Sequence, residues 1–160
     1  MELKVERLEI PEGYNIIFGQ THFIKTVEDL YEIMMGTAPN SRFGIGFCEA
    51  SGHCLVRGEG NDETLKEMAL KSAARIGAGH TFIIVMKDAF PINVLNAVKM
   101  CQEVCSLYCA TANPVEVILA QTEQGRGVLG VIDGFSPKGI EKEDDVAWRK
   151  DLLRKFRYKR

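Results

Sequence analysis

Apolar positions recur along this chain with two periods, one near two and one near 3.6, so strands and helices are expected to alternate. Leu3 to Ile10 and Asn15 to Gln20 read as strands joined by a turn at Pro11-Glu12-Gly13. Val27, Leu30, Tyr31, Met34 and Met35 then share one helical face, started by Thr26 with Asp29 and stopped at Gly36. Phe43 to Ala50 alternates again: Phe43, Ile45 and Phe47 point one way, Gly44, Gly46, Cys48 and Ala50 the other. The small face leaves room for another backbone, a ligand or a neighbouring subunit. Glu49 falls on the aromatic side, where a buried carboxylate needs a partner. Cys54 to Gly58 completes a hairpin through Ser51-Gly52-His53.

Asn61 and Asp62 are helix starters for a segment with Leu65, Met68, Ala69, Ala73 and Ile76 at helical spacing. Gly77 and Gly79 end it. Thr81 to Met86 is apolar without alternation, which predicts a strand buried on both faces at a sheet centre. Pro91 suits the first turn of a further helix, whose apolar content (Ile92, Val94, Leu95, Ala97, Val98, Met100) predicts burial on most sides. Strands follow at Ser106 to Ala110, Val115 to Gln121 and Gly127 to Ile132, and a terminal helix places Trp148, Leu152 and Phe156 on one stripe. The expected architecture is α/β: a single layered domain over residues 1–160, with a mixed β-sheet and about four helices.

Composition narrows the function. A net charge of −2 argues against a protein whose main business is gripping nucleic-acid phosphates, so no nucleic-acid partner is expected. Bases nevertheless concentrate at residues 149–160, after the acids Glu141, Glu143, Asp144 and Asp145; this order matches the dipole of a terminal helix. Five cysteines form no CxxC pair and match no zinc spacing, so no metal site is expected and the thiols read as buried and reduced. The longest apolar run, Phe82 to Met86, is far short of the ~20 residues of a membrane helix. No signal-peptide pattern opens the chain, and a cytoplasmic protein without membrane contact is the expectation.

The candidate chemistry centres on His80, directly after Gly77-Ala78-Gly79 and at the mouth of the apolar strand. Glycines open space for a ligand and the strand supplies rigidity, which suits a nucleophile or proton carrier; the alternative is a histidine that only satisfies a backbone group. His22, beside Lys25, is a second imidazole; His53 sits in a turn and reads as exposed. Asn93 and Asn96 share a helix face and could read a base or ribose, or tie the helix to nearby loops. Gly125-Arg126-Gly127 reads as an anion nest with a guanidinium fork, or as an ordinary hairpin. Asn113 lies in an exposed turn, with Asp133 at a strand end. Neither GxxxxGK[ST] nor a strand-to-helix GxGxxG occurs, so a nucleotide would not be held by either common glycine fingerprint.

The runs HFIKTVEDLYE, GFCEASG, GAGH, FPINVLNAVK, CATANPVEV, QGRGVLGVIDG and WRKDLLRKFRYK resemble the small family of adenosine-specific kinases, over nearly the whole chain. The resemblance implies an oligomeric α/β protein that binds AMP or adenosine, carries a stable phosphohistidine and passes phosphate to adenosine. By motif position it points to His80 as the phosphohistidine, with His22 in reserve, and it favours the nest reading of Gly125, Arg126 and Gly127. Arg126, then Arg57, are the expected cations for the transferring phosphoryl group. The other imidazole nitrogen would need a fixed hydrogen bond. ATP with Mg²⁺ is the candidate donor, and a homo-oligomer such as a trimer the expected assembly. Two other classes stay open: a non-catalytic AMP-binding sensor and a phosphohistidine phosphatase.

Overall fold

The computed structural model describes all residues from Met1 to Arg160. Eight strands and four helices follow one another as β1 (Glu2–Leu8), β2 (Asn15–Thr21), α1 (Thr26–Thr37), β3 (Arg42–Cys48), β4 (Val56–Gly60), α2 (Glu63–Ile76), β5 (Thr81–Lys87), α3 (Pro91–Lys99), β6 (Val104–Thr111), β7 (Val115–Gln121), β8 (Arg126–Asp133) and α4 (Glu143–Lys155). The α/β class and the four helices are those expected. The strands divide between two sheets, a five-stranded one ordered β4-β3-β5-β2-β6 and a three-stranded one ordered β1-β7-β8. All ladders are antiparallel. One isolated parallel bridge, Ala78 to Arg126, ties the loop between α2 and β5 to β8.

The unbroken apolar run of β5 takes the centre of the larger sheet, and all its residues from Thr81 to Met86 are buried. One core cluster lies where the two sheets and α2 meet, around Phe18, Leu65, Ile76, Ile83 and Val117. The other lies under α1 and α3, around Ile17, Leu30, Phe43, Phe47 and Val94. Each such side chain contributes roughly 1.5–3 kcal/mol of burial.

The glycine face of β3 turns inward. A Cβ on Gly44 would run into the backbone of Leu65 and Lys66, and one on Gly46 into Ala69. The small face therefore receives α2 of the same chain, and the reading of it as a subunit contact is corrected. Of the two expected helix starts, that of α2 forms as expected and that of α1 does not. Asp62 caps α2, accepting from Leu65 N at 3.0 Å. At α1 no capping box forms: Thr26 donates to Phe23 O at 2.5 Å, and Asp29 turns to Lys25. Helix α3 buries only Val94 and Val98, so the expectation of burial on most sides is corrected, as Ile92 and Met100 are exposed. Likewise the thiols are not uniformly buried: Cys48 and Cys101 are, whereas Cys54 and Cys105 are exposed. No helix is long and apolar enough to cross a membrane.

Candidate functional site

Helix α2 ends at Gly77, whose φ of 59° closes the helix in the left-handed conformation. The chain then runs through Ala78 and Gly79 to His80, which also has a positive φ, 61°. A non-glycine residue in that region stores strain and persists only where its surroundings hold it. Two backbone hydrogen bonds do so: His80 N–H donates to Cys48 O at 2.7 Å, and Thr21 N–H donates to His80 O at 2.9 Å. Gly79 is needed beside it, because a Cβ there would approach Ala50 at 2.9 Å.

The imidazole lies 6.0 Å from the Phe47 ring, centroid to centroid, and is stacked on it. Phe47 is fully buried. Its cross-strand partner on β4 is Arg57, so Arg57 shares that face of the sheet. Arg57 Nη2 donates to Glu49 Oε2 at 3.0 Å, and Leu55 N–H donates to the same oxygen. The Leu55 N–H first, and Arg57 after it, hold the Glu49 carboxyl below the usual range. The charge on the aromatic side of β3 thus has its partner. Arg57 Nε is buried and meets no hydrogen-bond partner. The Phe47 face therefore carries an aromatic platform, an imidazole whose ring nitrogens have no partner in the chain, and an unused donor.

His22 comes to the same sheet end. It directly follows Thr21, the residue bonded to His80. Its ring is exposed and stacked near Phe23, and its N–H donates to Glu103 O at 3.1 Å. The sequence separates the two histidines widely; pairing of β2 with β5 brings their backbones together.

Behind His22 lies a charged cluster. Lys25 pairs with Asp29 and, at 2.7 Å, with Glu103. Asp29, Cys101 and Glu103 offer ligand atoms within 4.8 Å of one another, but the ammonium already serves both carboxylates. A proton shared with Asp29 first, then hydrogen bonds from the Cys101 thiol and Lys25, bring the Glu103 carboxyl down to about 2, and the same sharing raises the Asp29 carboxyl. Burial pushes the Cys101 thiol up to about 11. A carboxyl depressed in the folded state stabilises it above the ordinary value, and that contribution fades as pH falls from about 4.5 toward 2. Glu103→Gln is therefore expected to lower the melting temperature most at neutral pH. Thermal melts from pH 7 down to pH 3 should show the gap to the parent narrowing below about 4.5; a constant gap would contradict it.

On the other side of the five-stranded sheet, a cleft of about 660 Å³ opens between the two sheets. Glu49, Leu55, Gly77, Gly79, Gln124 and Arg126 are among its lining residues. The size suits a nucleoside or mononucleotide. Arg126, expected to bind an anion, is committed to the fold: Nη1 donates to Arg75 O at 2.7 Å and Ile76 O at 3.2 Å, and Nε to Gln121 Oε1 at 3.0 Å. It caps the orphan carbonyls of α2 and so steadies the loop that carries His80. Gly125 and Gly127 have no positive φ, and a Cβ on either would meet open space, so they do not need to be glycine for steric reasons. Asn93 caps α3, accepting from Phe90 N–H at 2.9 Å; Asn96 is exposed on the same helix. Asn113 donates to Asp133 Oδ1 at 3.1 Å, which Thr111 also reaches, tying β6 to β8. The structure thus gathers His80, His22, Arg57 and Glu49 at one end of the larger sheet and leaves the asparagines elsewhere. Glu49 and Phe47 were missed as site residues; the misplaced charge at Glu49 was their signal.

The model of a family described as adenosine specific kinase matches residues 6–159. The crystal structure of the PH1918 protein from Pyrococcus horikoshii OT3 is similar to this chain, at 44% identity and a TM-score of 0.95, over 99% of this chain and 98% of that one. No curated protein matches.

Proposed function

Since the chain belongs to the adenosine specific kinase family, we propose that it binds adenosine and AMP and phosphorylates adenosine by way of a phosphohistidine at His80. The observation that carries this reading is His80 itself: a strained backbone, gripped at both its N–H and its C=O, presents a ring whose nitrogens have no partner in the chain. Strain held at one loop residue, with the ring on a fixed platform, is preorganisation for chemistry.

In the first step an imidazole nitrogen attacks phosphorus of a phosphoryl donor; the P–N bond forms as the donor's P–O bond breaks. In the second, a hydroxyl oxygen of adenosine attacks the same phosphorus. The P–N bond breaks, its electron pair returns to the imidazole, and the hydroxyl proton leaves to water or to the ring. ATP is the proposed donor. Arg57 Nε, the buried donor without a partner, is the proposed contact for the phosphoryl oxygens. Adenosine is proposed to bind at the sheet end beside the His80 ring, on the face that carries Phe47 and Arg57, where its hydroxyl can reach the phosphorus. Self-association, with a trimer as one size, is part of this reading; it rests on the apolar surface left open on the chain.

Intact mass before and after mild acid, on protein incubated with ATP, tests the proposal. An acid-labile gain of one phosphate with AMP formed from adenosine is expected. Free phosphate alone would favour a phosphatase, and AMP binding without any covalent phosphate a sensor. Calorimetric titration with four nucleoside monophosphates should rank AMP first; equal affinity for GMP would remove the adenine preference.

A further inference from the structure

Glu49 follows the last residue of β3, and its side chain is only 14% exposed. Withdrawing a carboxylate from water is costly unless its partners are fixed. In a regular antiparallel pair the Leu55 N–H would meet a backbone carbonyl. Here it donates to Glu49 Oε2 at 3.0 Å, while Glu49 N–H donates to Leu55 O at 3.0 Å. A carboxylate thus stands where an uncharged main-chain oxygen would close the hairpin. Closing the turn does not call for that charge. A second contact does: Arg57 Nη2 donates to the same oxygen at 3.0 Å.

That grip constrains the whole guanidinium, which is planar and carries its N–H groups in a fixed fork. With Nη2 anchored, Nε remains as the buried donor without a partner. The neighbours of Glu49 hold the loop of the nucleophile. Cys48 O accepts the His80 N–H at 2.7 Å. Ala50 lies against Gly79, where an added Cβ would come within 2.9 Å of it. Three consecutive residues, Cys48 to Ala50, therefore tie the His80 loop to Arg57. Such a tie matters because a misplacement of about 1 Å in a reacting group can cost about 10²-fold in rate.

We infer that Glu49 is a positioning residue for the phosphoryl transfer: its carboxylate holds Arg57 by Nη2 and so keeps Nε for the phosphoryl group on His80. The inference rests on the function proposed above and adds the residue that sets Arg57 in place. Glu49 itself touches neither adenosine nor the phosphoryl group.

Glu49→Gln keeps the shape of the side chain and removes its charge. With ATP and adenosine supplied, kcat for AMP formation should fall about 10- to 100-fold, while KM for adenosine stays within about twofold of the parent. Far-UV circular dichroism should show the fold retained. Adding Arg57→Ala to Glu49→Gln should cost little more, since both changes act on one contact. Penalties that multiply would overturn the inference. So would a parental kcat with only a lower melting temperature, which would make Glu49 a hairpin staple. A raised KM at parental kcat would overturn it too, by placing Glu49 on the nucleoside. The parent protein gives a second measurement that depends on no variant's activity. In ¹⁵N NMR, with the signals assigned by their loss in Arg57→Lys, the Arg57 Nη groups should be resolved, because a guanidinium held at Nη2 cannot flip freely. Averaged Nη signals would overturn the inference. A parent that forms no acid-labile phosphate would overturn the function proposed above and this role with it; the other failures leave that function standing.

Discussion

Replacing His80 with alanine is expected to abolish the acid-labile phosphate and to cut AMP formation by about 10⁴-fold or more, the scale seen when a nucleophile is removed. The fold should survive. Both anchoring hydrogen bonds of His80 come from its backbone, which alanine retains. The lost ring contact with Phe47 is worth roughly 0.5–1.5 kcal/mol. Alanine carries a Cβ as histidine does and meets the left-handed backbone at φ 61° at a cost of the same order, so the loop should keep its path. Circular dichroism and melting temperature near those of the parent, together with loss of the phosphate mass, would locate the phosphoryl group at His80. Were phosphate retained there and lost in His22→Ala, the nucleophile would be His22, which the fold holds at the same sheet end. Arg57→Ala should slow phosphoryl transfer while leaving adenosine binding in place, since its proposed partner is the phosphoryl oxygen rather than the nucleoside.

The largest loss of stability is expected from Gly44→Val. Its new side chain would meet the backbone of Leu65 and Lys66, which cannot step aside as a flexible side chain can. Helix α2 would have to lift from β3, and with it the Gly77–His80 loop at its end. The cost should be about 4 kcal/mol or more, or a melting temperature lower by about 10 °C or more for a domain of this size. Gly36→Ala supplies a control of opposite sign. Gly36 lies within α1 with open space around it, so alanine should stabilise by about 0.5–1 kcal/mol. Thermal melts of the two variants side by side would check both; a small change at Gly44 would mean that α2 does not press on β3 as described.

Most of the elements were legible from periodicity. The alternation of Phe43 to Phe47, the unbroken run of β5 and the 3.6-residue spacing of α2 each follow from which faces are buried, and burial is written directly into side-chain polarity. Gly77 marked the loop to His80 for the same reason: backbone conformation at φ 59° is a property that residue type reveals. Family resemblance, read from long runs of residues, agreed with the family match over residues 6–159.

Partnership was not legible. An arginine between two glycines looks alike whether it waits for phosphate or caps a helix 50 residues away, and only the fold brought Arg126 to Arg75 O and Ile76 O. Asn93 could have faced a ligand; packing made it a cap. The division of strands into two sheets also came from tertiary structure, since antiparallel pairing of β1 with β7 spans more than 100 residues and leaves no local trace. By itself the sequence determined the order of strands and helices, the central place of β5 and the loop that carries His80, because these depend on local polarity and backbone preference. Only the tertiary structure decided that β3's glycine face receives α2, that Arg57 and Phe47 stand beside His80, and that α4 is left without a surface, because each depends on which distant residues meet.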